Sequence, residues 1–300
     1  MIRGGDLMTN QETARPSKKE EQDVAIWSIG IYSGESPFGL KPCSEVQNPV
    51  LSANAVTDIP AEFVADPFMI QADGSWHMFF EVMNAQTGRG EIGWARSGDG
   101  LRWAYQCIVL REPFHLSYPY VLSVGGEYYM IPESYKAGKT VLYRGDPFPE
   151  RWSPVGAIIE GRWVDSSPFF FDGLWWMLTC RVESRSSNLT LFFSERLQGP
   201  WVEHPKSPLI EGNNRMARPG GRVIALGDSV IRFCQDCSPR YGTSVRAFEV
   251  YELTTTTYRE KEVDSSPVLV GGGARWNMTG MHHIDPQLVG NRWLACVDGF

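Results

Sequence analysis

Val64-Ala65-Asp66-Pro67-Phe68-Met69-Ile70 runs through Gln71-Ala72 into Asp73-Gly74-Ser75-Trp76-His77-Met78-Phe79-Phe80-Glu81, and this stretch decides the fold. Aromatic and β-branched residues on both sides of an Asp-Gly step predict two strands joined by a tight turn. The phrase returns, varied, at Tyr118-Pro119-Tyr120, Ser167-Pro168-Phe169, Arg218-Pro219-Gly220 and Asp285-Pro286-Gln287. Intervals between its prolines are 52, 49, 51 and 67 residues, and Trp103, Trp152 and Trp201 form a second ladder at 49 and 49. Strand-like sequence repeating at about 50 residues predicts propeller blades, units that bury their faces only against one another.

Composition agrees. The 300 residues are 42% hydrophobic with 30 Gly, 20 Pro, 11 Trp, 11 Tyr and 15 Phe, the content of many short strands and tight turns around a large core. A net charge of −7 argues against nucleic acid as a partner. No apolar run reaches the roughly 18 residues of a membrane-spanning helix, and no apolar signal core is seen, so a cytoplasmic location is expected. Six cysteines are scattered along the chain, unlike a disulfide framework. Cys234-Gln235-Asp236-Cys237 has the spacing of metal ligands but lacks a second pair, and on a strand its thiols would face opposite ways.

In chain order, residues 1–23 are polar and charged and are expected to form a disordered tail, leaving 24–300 as a single domain. Ala25 to Tyr32 reads as a strand. Second strands recur at Trp76–Glu81, Tyr128–Glu133, Leu174–Cys180, Ser229–Gln235 and Arg292–Val297. The chain after Pro286 is too short for a whole blade, so the N-terminal strand is expected to pair with the last one and close the ring. The prediction is an all-β, five-bladed β-propeller. The long fourth interval is assigned to insertions at Gln235–Thr243 and Thr254–Thr257.

Ala65-Asp66-Pro67-Phe68, Ala95-Arg96-Ser97-Gly98-Asp99-Gly100-Leu101-Arg102-Trp103, Val164-Asp165-Ser166-Ser167-Pro168-Phe169-Phe170 and Met281-His282-His283-Ile284-Asp285-Pro286-Gln287 resemble the five-bladed propellers of glycoside hydrolase families 43 and 32. The resemblance is closest to the propeller at the N-terminus of plant glucosamine inositolphosphorylceramide transferases and related bacterial proteins. It implies that first strands line a central funnel, with Asp66, Tyr118, Asp165, Arg218 and Asp285 converging at one mouth. It also implies that Asp66 is a general base and Asp165 a carboxylate that tunes the acid. Where family 43 enzymes carry their acidic Glu, this chain has Arg218, which cannot act as an acid at neutral pH. Glu133, Glu183 and Glu81 are the substitute acids.

Arg218 instead suits a carboxylate or phosphate, making an anionic sugar or sugar phosphate the expected ligand. Glu81, His282, His283 and Asp285 join Tyr118 and Arg218 as expected substrate contacts, and Trp27, Tyr118, Tyr120 and Trp276 as stacking surfaces. Plainer roles stand beside these: Asp before Pro caps turns, strand-end Glu pairs with Arg or Lys, and Trp103, Trp152 and Trp201 pack between blades. No nucleotide cofactor is expected; Ca²⁺ in the channel is the one metal the resemblance suggests. Three functions remain open: an enzyme cleaving or transferring a glycosyl group, a sugar-binding propeller accompanying a glycosyltransferase, and a plain interaction scaffold, against which the acidic residues at the funnel argue.

Overall fold

The computed structural model describes residues 26–183 and 186–300; the expected polar tail at 1–23 lies outside them. The described chain is five antiparallel sheets arranged as a five-bladed propeller. The first blade comprises Ala61–Ala72, Ser75–Asn84, Arg89–Ser97 and Ala104–Leu110, and the second Ser117–Val124, Glu127–Glu133, Lys139–Gly145 and Trp152–Glu160. The third runs Val164–Phe171, Leu174–Glu183, Ser186–Ser194 and Val202–Glu203. The fourth is built on Arg218–Pro219, Ile224–Leu226, Ser229–Asp236, Ser244–Leu253 and Tyr258–Glu262, with Leu269–Val270 added at one end.

The fifth blade closes the ring as expected. Ser28–Gly34 lies antiparallel to Arg292–Gly299, from Ser28 opposite Gly299 to Gly34 opposite Trp293, and Ile284–Val289 forms the channel-facing strand. Apolar residues pack between neighbouring blades: Phe79, Trp94, Tyr129 and Met130 between the first and second, Ile29, Met78, Phe80 and Leu294 between the fifth and first. The tryptophan ladder locks one turn in each of three blades. Trp103, Trp152 and Trp201 donate their indole N–H to the carbonyls of Gly100, Pro149 and Leu197 at 3.1, 3.1 and 3.0 Å.

Two details differ from the repeat as read in sequence. In the third blade the strand bulge falls at Asp165-Ser166, so Ser166, and not Pro168, is the counterpart of Pro67 and Pro119. The extra residues of the fourth interval sit mainly in the crossing segment between Glu262 and Ile284; Thr254–Thr257 is an ordinary hairpin turn.

Candidate functional site

A bulge near the start of the first strand in each of three consecutive blades turns one side chain into the channel. Asp66, Tyr118 and Asp165 occupy these bulges with φ of 53°, 46° and 52°, a left-handed conformation that costs a non-glycine residue energy and is characteristic of working sites. A second ring comes from the neighbouring strands. Six residues beyond each hairpin, Glu81, Glu133, Cys180, Gln235 and Asp298 stand at equivalent positions around the funnel.

Asp66 and His282 meet at the centre. Asp66 Oδ2 accepts from the backbone N–H of Tyr118 at 3.2 Å, while Oδ1 is buried without a hydrogen-bond partner. His282 Nε2 faces that oxygen at 3.4 Å, and His282 Nδ1 lies 2.8 Å from Asp298 Oδ1. The imidazole thus bridges two carboxylates. Asp298 also accepts from the backbone N–H of His282, His283 and Asp66 at 3.2, 3.1 and 2.9 Å, so its position is over-determined. Burial pushes the Asp66 carboxyl up to about 7, reinforced by Asp298 and Asp165 and opposed by His282. Burial disfavours charge on His282, but Asp298 and Asp66 outweigh it and raise its affinity for a proton. The two groups therefore titrate as an interacting pair.

The other carboxyls divide into protonated and paired. Glu133 and Glu81 are pushed well above the carboxylate range, first by burial and then by neighbouring acids. Glu133 Oε2 is buried and unpartnered, 3.8 Å from Arg218 Nη2. Glu81 Oε1 lies 3.4 Å from Nε2 of His115, whose Nδ1 accepts from Gly90 N–H at 2.8 Å. Asp165 is ion-paired through Arg218 Nε and accepts from Gln235 Nε2 at 2.9 Å. A cavity of about 750 Å³ opens over Glu133 and Arg218, with Arg89, His115, Tyr135 and Lys136 on its walls.

Four expected contacts, Tyr118, Tyr120, Asp285 and His283, belong to the scaffold. Tyr118 is fully buried; its hydroxyl lies 2.9 Å from Ser167 Oγ, donates to Gly221 O at 3.0 Å and accepts from Gly221 N–H at 2.7 Å. Tyr120 is likewise core, whereas Trp27 and Trp276 line a second cavity. Asp285 does not join the mouth because its strand lacks the bulge: it pairs with Cys296, at the level of Phe68 in the first blade. There it is ion-paired to Arg222 and accepts from Met69 N–H at 2.6 Å. Arg222 also donates to Val121 O at 3.0 Å, joining four blades deep in the channel. His283 donates from Nε2 to Pro67 O at 2.9 Å and is held neutral, burial lowering it to about 4. The backbone of Glu183 ends a strand at a hairpin, and its side chain lies outside the described residues. Sequence reading missed Asp298 and His115. The six-residue spacing from each hairpin to Glu81, Glu133 and Asp298 was a signal for the former; nothing local marked the latter.

Asp66, His282 and Asp298 each bring a donor atom within 4.8 Å of the others. Their geometry does not suit Ca²⁺, which takes six to eight oxygens. His282 Nδ1 is hydrogen-bonded to Asp298, its Nε2 lies 3.4 Å from Asp66 Oδ1 without a hydrogen bond, and both Asp298 oxygens already accept hydrogen bonds. The arrangement sets one imidazole between two buried carboxylates.

The sequence profile of the family described as "Glucosamine inositolphosphorylceramide transferase 1, N-terminal" matches residues 19–300. The chain belongs to this family. It is 36% identical over 295 residues to glucosamine inositolphosphorylceramide transferase 1 of Oryza sativa subsp. japonica, an alignment that takes in 91% of this chain and 40% of the rice protein. The chain thus spans well under half the length of that relative. Among solved structures it is similar to the β-1,2-mannobiose phosphorylase of Listeria innocua, with TM-score 0.64 at 14% identity over 89% of this chain and 96% of that one. A thermostable family-43 glycoside hydrolase superposes with TM-score 0.59 at 12% identity over 79% and 88%. At such identities these likenesses concern the fold. No helix among the described residues is long and apolar enough to cross a membrane.

Proposed function

We propose that the funnel holds an anionic saccharide and performs acid–base chemistry at its glycosidic bond. The observation that carries this reading is a pair of buried carboxyl oxygens on adjacent blades, Asp66 Oδ1 and Glu133 Oε2, that have no hydrogen-bond partner in the protein. Leaving such groups unsatisfied costs about 1–3 kcal/mol each, which a ligand's hydroxyl groups or water would recover. Ionised Asp66 removes a proton from the attacking hydroxyl, with His282, oriented by Asp298, stabilising its charge. Glu133, kept protonated by burial, delivers a proton to the leaving oxygen. Arg218, Arg89 and Lys136 around the 750 Å³ cavity supply the positive surface for a phosphate or carboxylate.

A second reading, binding without cleavage, is favoured by the Arg218–Asp165 ion pair. It commits the carboxylate that family resemblance assigns to tuning the acid. A sugar-binding propeller beside a transferase would suit relatives named for glycosyl transfer. Calorimetric binding of uronic acids and sugar phosphates, with mass spectrometry of the products of their glycosides, separates the two. Turnover lost in Asp66→Asn and Glu133→Gln with binding retained supports the enzyme; binding with no product in the unmodified chain supports the module. Turnover unaffected by Asp66→Asn refutes the assignment of the base.

A further inference from the structure

Where the first blade passes into the second, one imidazole is held by the backbone and presented to the cavity over Glu133. His115 lies just ahead of the strand Ser117–Val124. Its Nδ1 accepts from Gly90 N–H at 2.8 Å, and Gly90 O accepts from Leu116 N–H at 3.0 Å, so the ring is fixed against the strand Arg89–Ser97. Room for this contact exists because residue 90 carries no side chain. A Cβ there would stand 2.2 Å from Leu116 O, 2.7 Å from Glu81 Oε1 and 2.9 Å from His115 Cε1.

A backbone N–H can only donate, so the bond to Gly90 decides the tautomer: Nδ1 carries the lone pair and Nε2 the proton. Burial, and then the nearby Lys136 ammonium, lowers the affinity of the ring for a second proton and keeps this tautomer neutral. The Nε2–H lies 3.4 Å from Glu81 Oε1 without a hydrogen bond. The His115 side chain is 27% exposed, on the wall of the 750 Å³ cavity that also holds Glu133 and Arg218. A donor of fixed direction and a carboxyl oxygen therefore stand side by side at the ligand cavity, close to each other and not bonded.

We propose that His115 is a specificity-determining residue of the funnel: its Nε2–H donates to one hydroxyl oxygen of the bound sugar, and that hydroxyl donates in turn to Glu81. The inference rests on the saccharide reading of the funnel and adds the group by which the funnel tells one sugar from another. A hydroxyl suits the pair because it accepts and donates at once, which neither an ether oxygen nor a methylene can do. A sugar lacking that hydroxyl would cover the Nε2–H with nothing to accept it, the mismatch that hydrogen-bonding sites reject most strongly. His115 acts on binding, and cleavage stays with Asp66 and Glu133.

The probes are methyl β-D-glucuronide and D-glucose 6-phosphate, each with its 2-, 3- and 4-deoxy analogues, titrated into the full chain by calorimetry. Removing the hydroxyl at one position should weaken binding at least about tenfold. Two variants separate recognition from support. His115→Asn keeps a side-chain oxygen where Nδ1 accepts from Gly90 but has nothing at the place of Nε2; His115→Gln puts an amide N–H near the place of Nε2 and gives up the Gly90 contact. The discrimination should fall below about threefold in His115→Asn and stay above about fivefold in His115→Gln, with the ratios at the other two positions unchanged in both. Equal binding of all analogues by the parent, or discrimination that survives in His115→Asn, overturns the role of His115 and leaves the funnel reading standing. Binding of none of the probes by the parent overturns both.

Discussion

Asp66→Asn should stabilise the protein at pH 8 and do so by less than half as much at pH 5. The folded protein holds the Asp66 carboxyl near 7, against an ordinary value of 3.8, because ionising it means charging a group that is 5% exposed. Between those two values the unfolded chain has lost this proton while the folded chain keeps it. Stability therefore falls as pH rises through the interval and levels off above the folded value. A gap of roughly three units at about 1.4 kcal/mol each sets a ceiling of about 4 kcal/mol. Asparagine removes the liability and keeps the contacts: its carbonyl can accept from Tyr118 N–H, and its amide can face His282 Nε2, which lies 3.4 Å from Oδ1. Relaxation around the ionised pair lowers the expected gain to about 2 kcal/mol. Urea denaturation of the parent and variant at pH 5 and pH 8 measures it. A variant destabilised equally at both pH values would refute burial of an ionisable Asp66 as the governing effect.

Arg218→Met removes the cation from the Asp165 carboxylate, leaving the Gln235 bond at 2.9 Å, and should cost about 3–5 kcal/mol. Adding Asp165→Asn should restore much of the loss; simple additivity in denaturant titrations would show the ion pair to be energetically idle. Gly221→Ala should cost at least about 3 kcal/mol, since φ is 141° and the new Cβ would stand 1.7 Å from Ile284 O; an unchanged melting temperature contradicts the packing at that junction. Truncation through Gly34 removes a strand paired along its whole length with Arg292–Gly299 and should abolish cooperative unfolding. A sharp calorimetric transition in the truncated chain would argue against closure through that strand.

The propeller was legible in the sequence because each blade needs the same partners, so turns, strands and tryptophans recur at one period. Ring closure followed from counting the residues left after Pro286. What sequence could not give was the level of a residue in the channel. Asp66 and Asp285 both precede a proline, yet a bulge turns one toward the mouth while regular pairing leaves the other deep, bound to Arg222. Bulges depend on how two strands settle against each other, and no local residue pattern separates these cases. Arg218 was read as a cation lining the funnel; its commitment to Asp165 arises between blades, 53 positions apart in the chain. The setting of His282 depends on Asp298, a residue whose hydrogen bonds are all made to distant parts of the chain or across a hairpin.

Pairing Ser28 with Gly299 also fixes when the molecule can be completed. At ribosomal speeds of about 5–20 residues per second, the first strand waits on the order of 15–50 s for its neighbour to be synthesised. During that time Ile29 and Ile31, fully buried in the finished ring, lack the Leu294 and Cys296 side of their packing, and the edge of Ser28–Gly34 that will pair with Arg292–Gly299 is open to other chains. The same pairing that closes the mature propeller leaves the nascent one with an exposed strand edge, and for longer wherever synthesis pauses before the last hairpin.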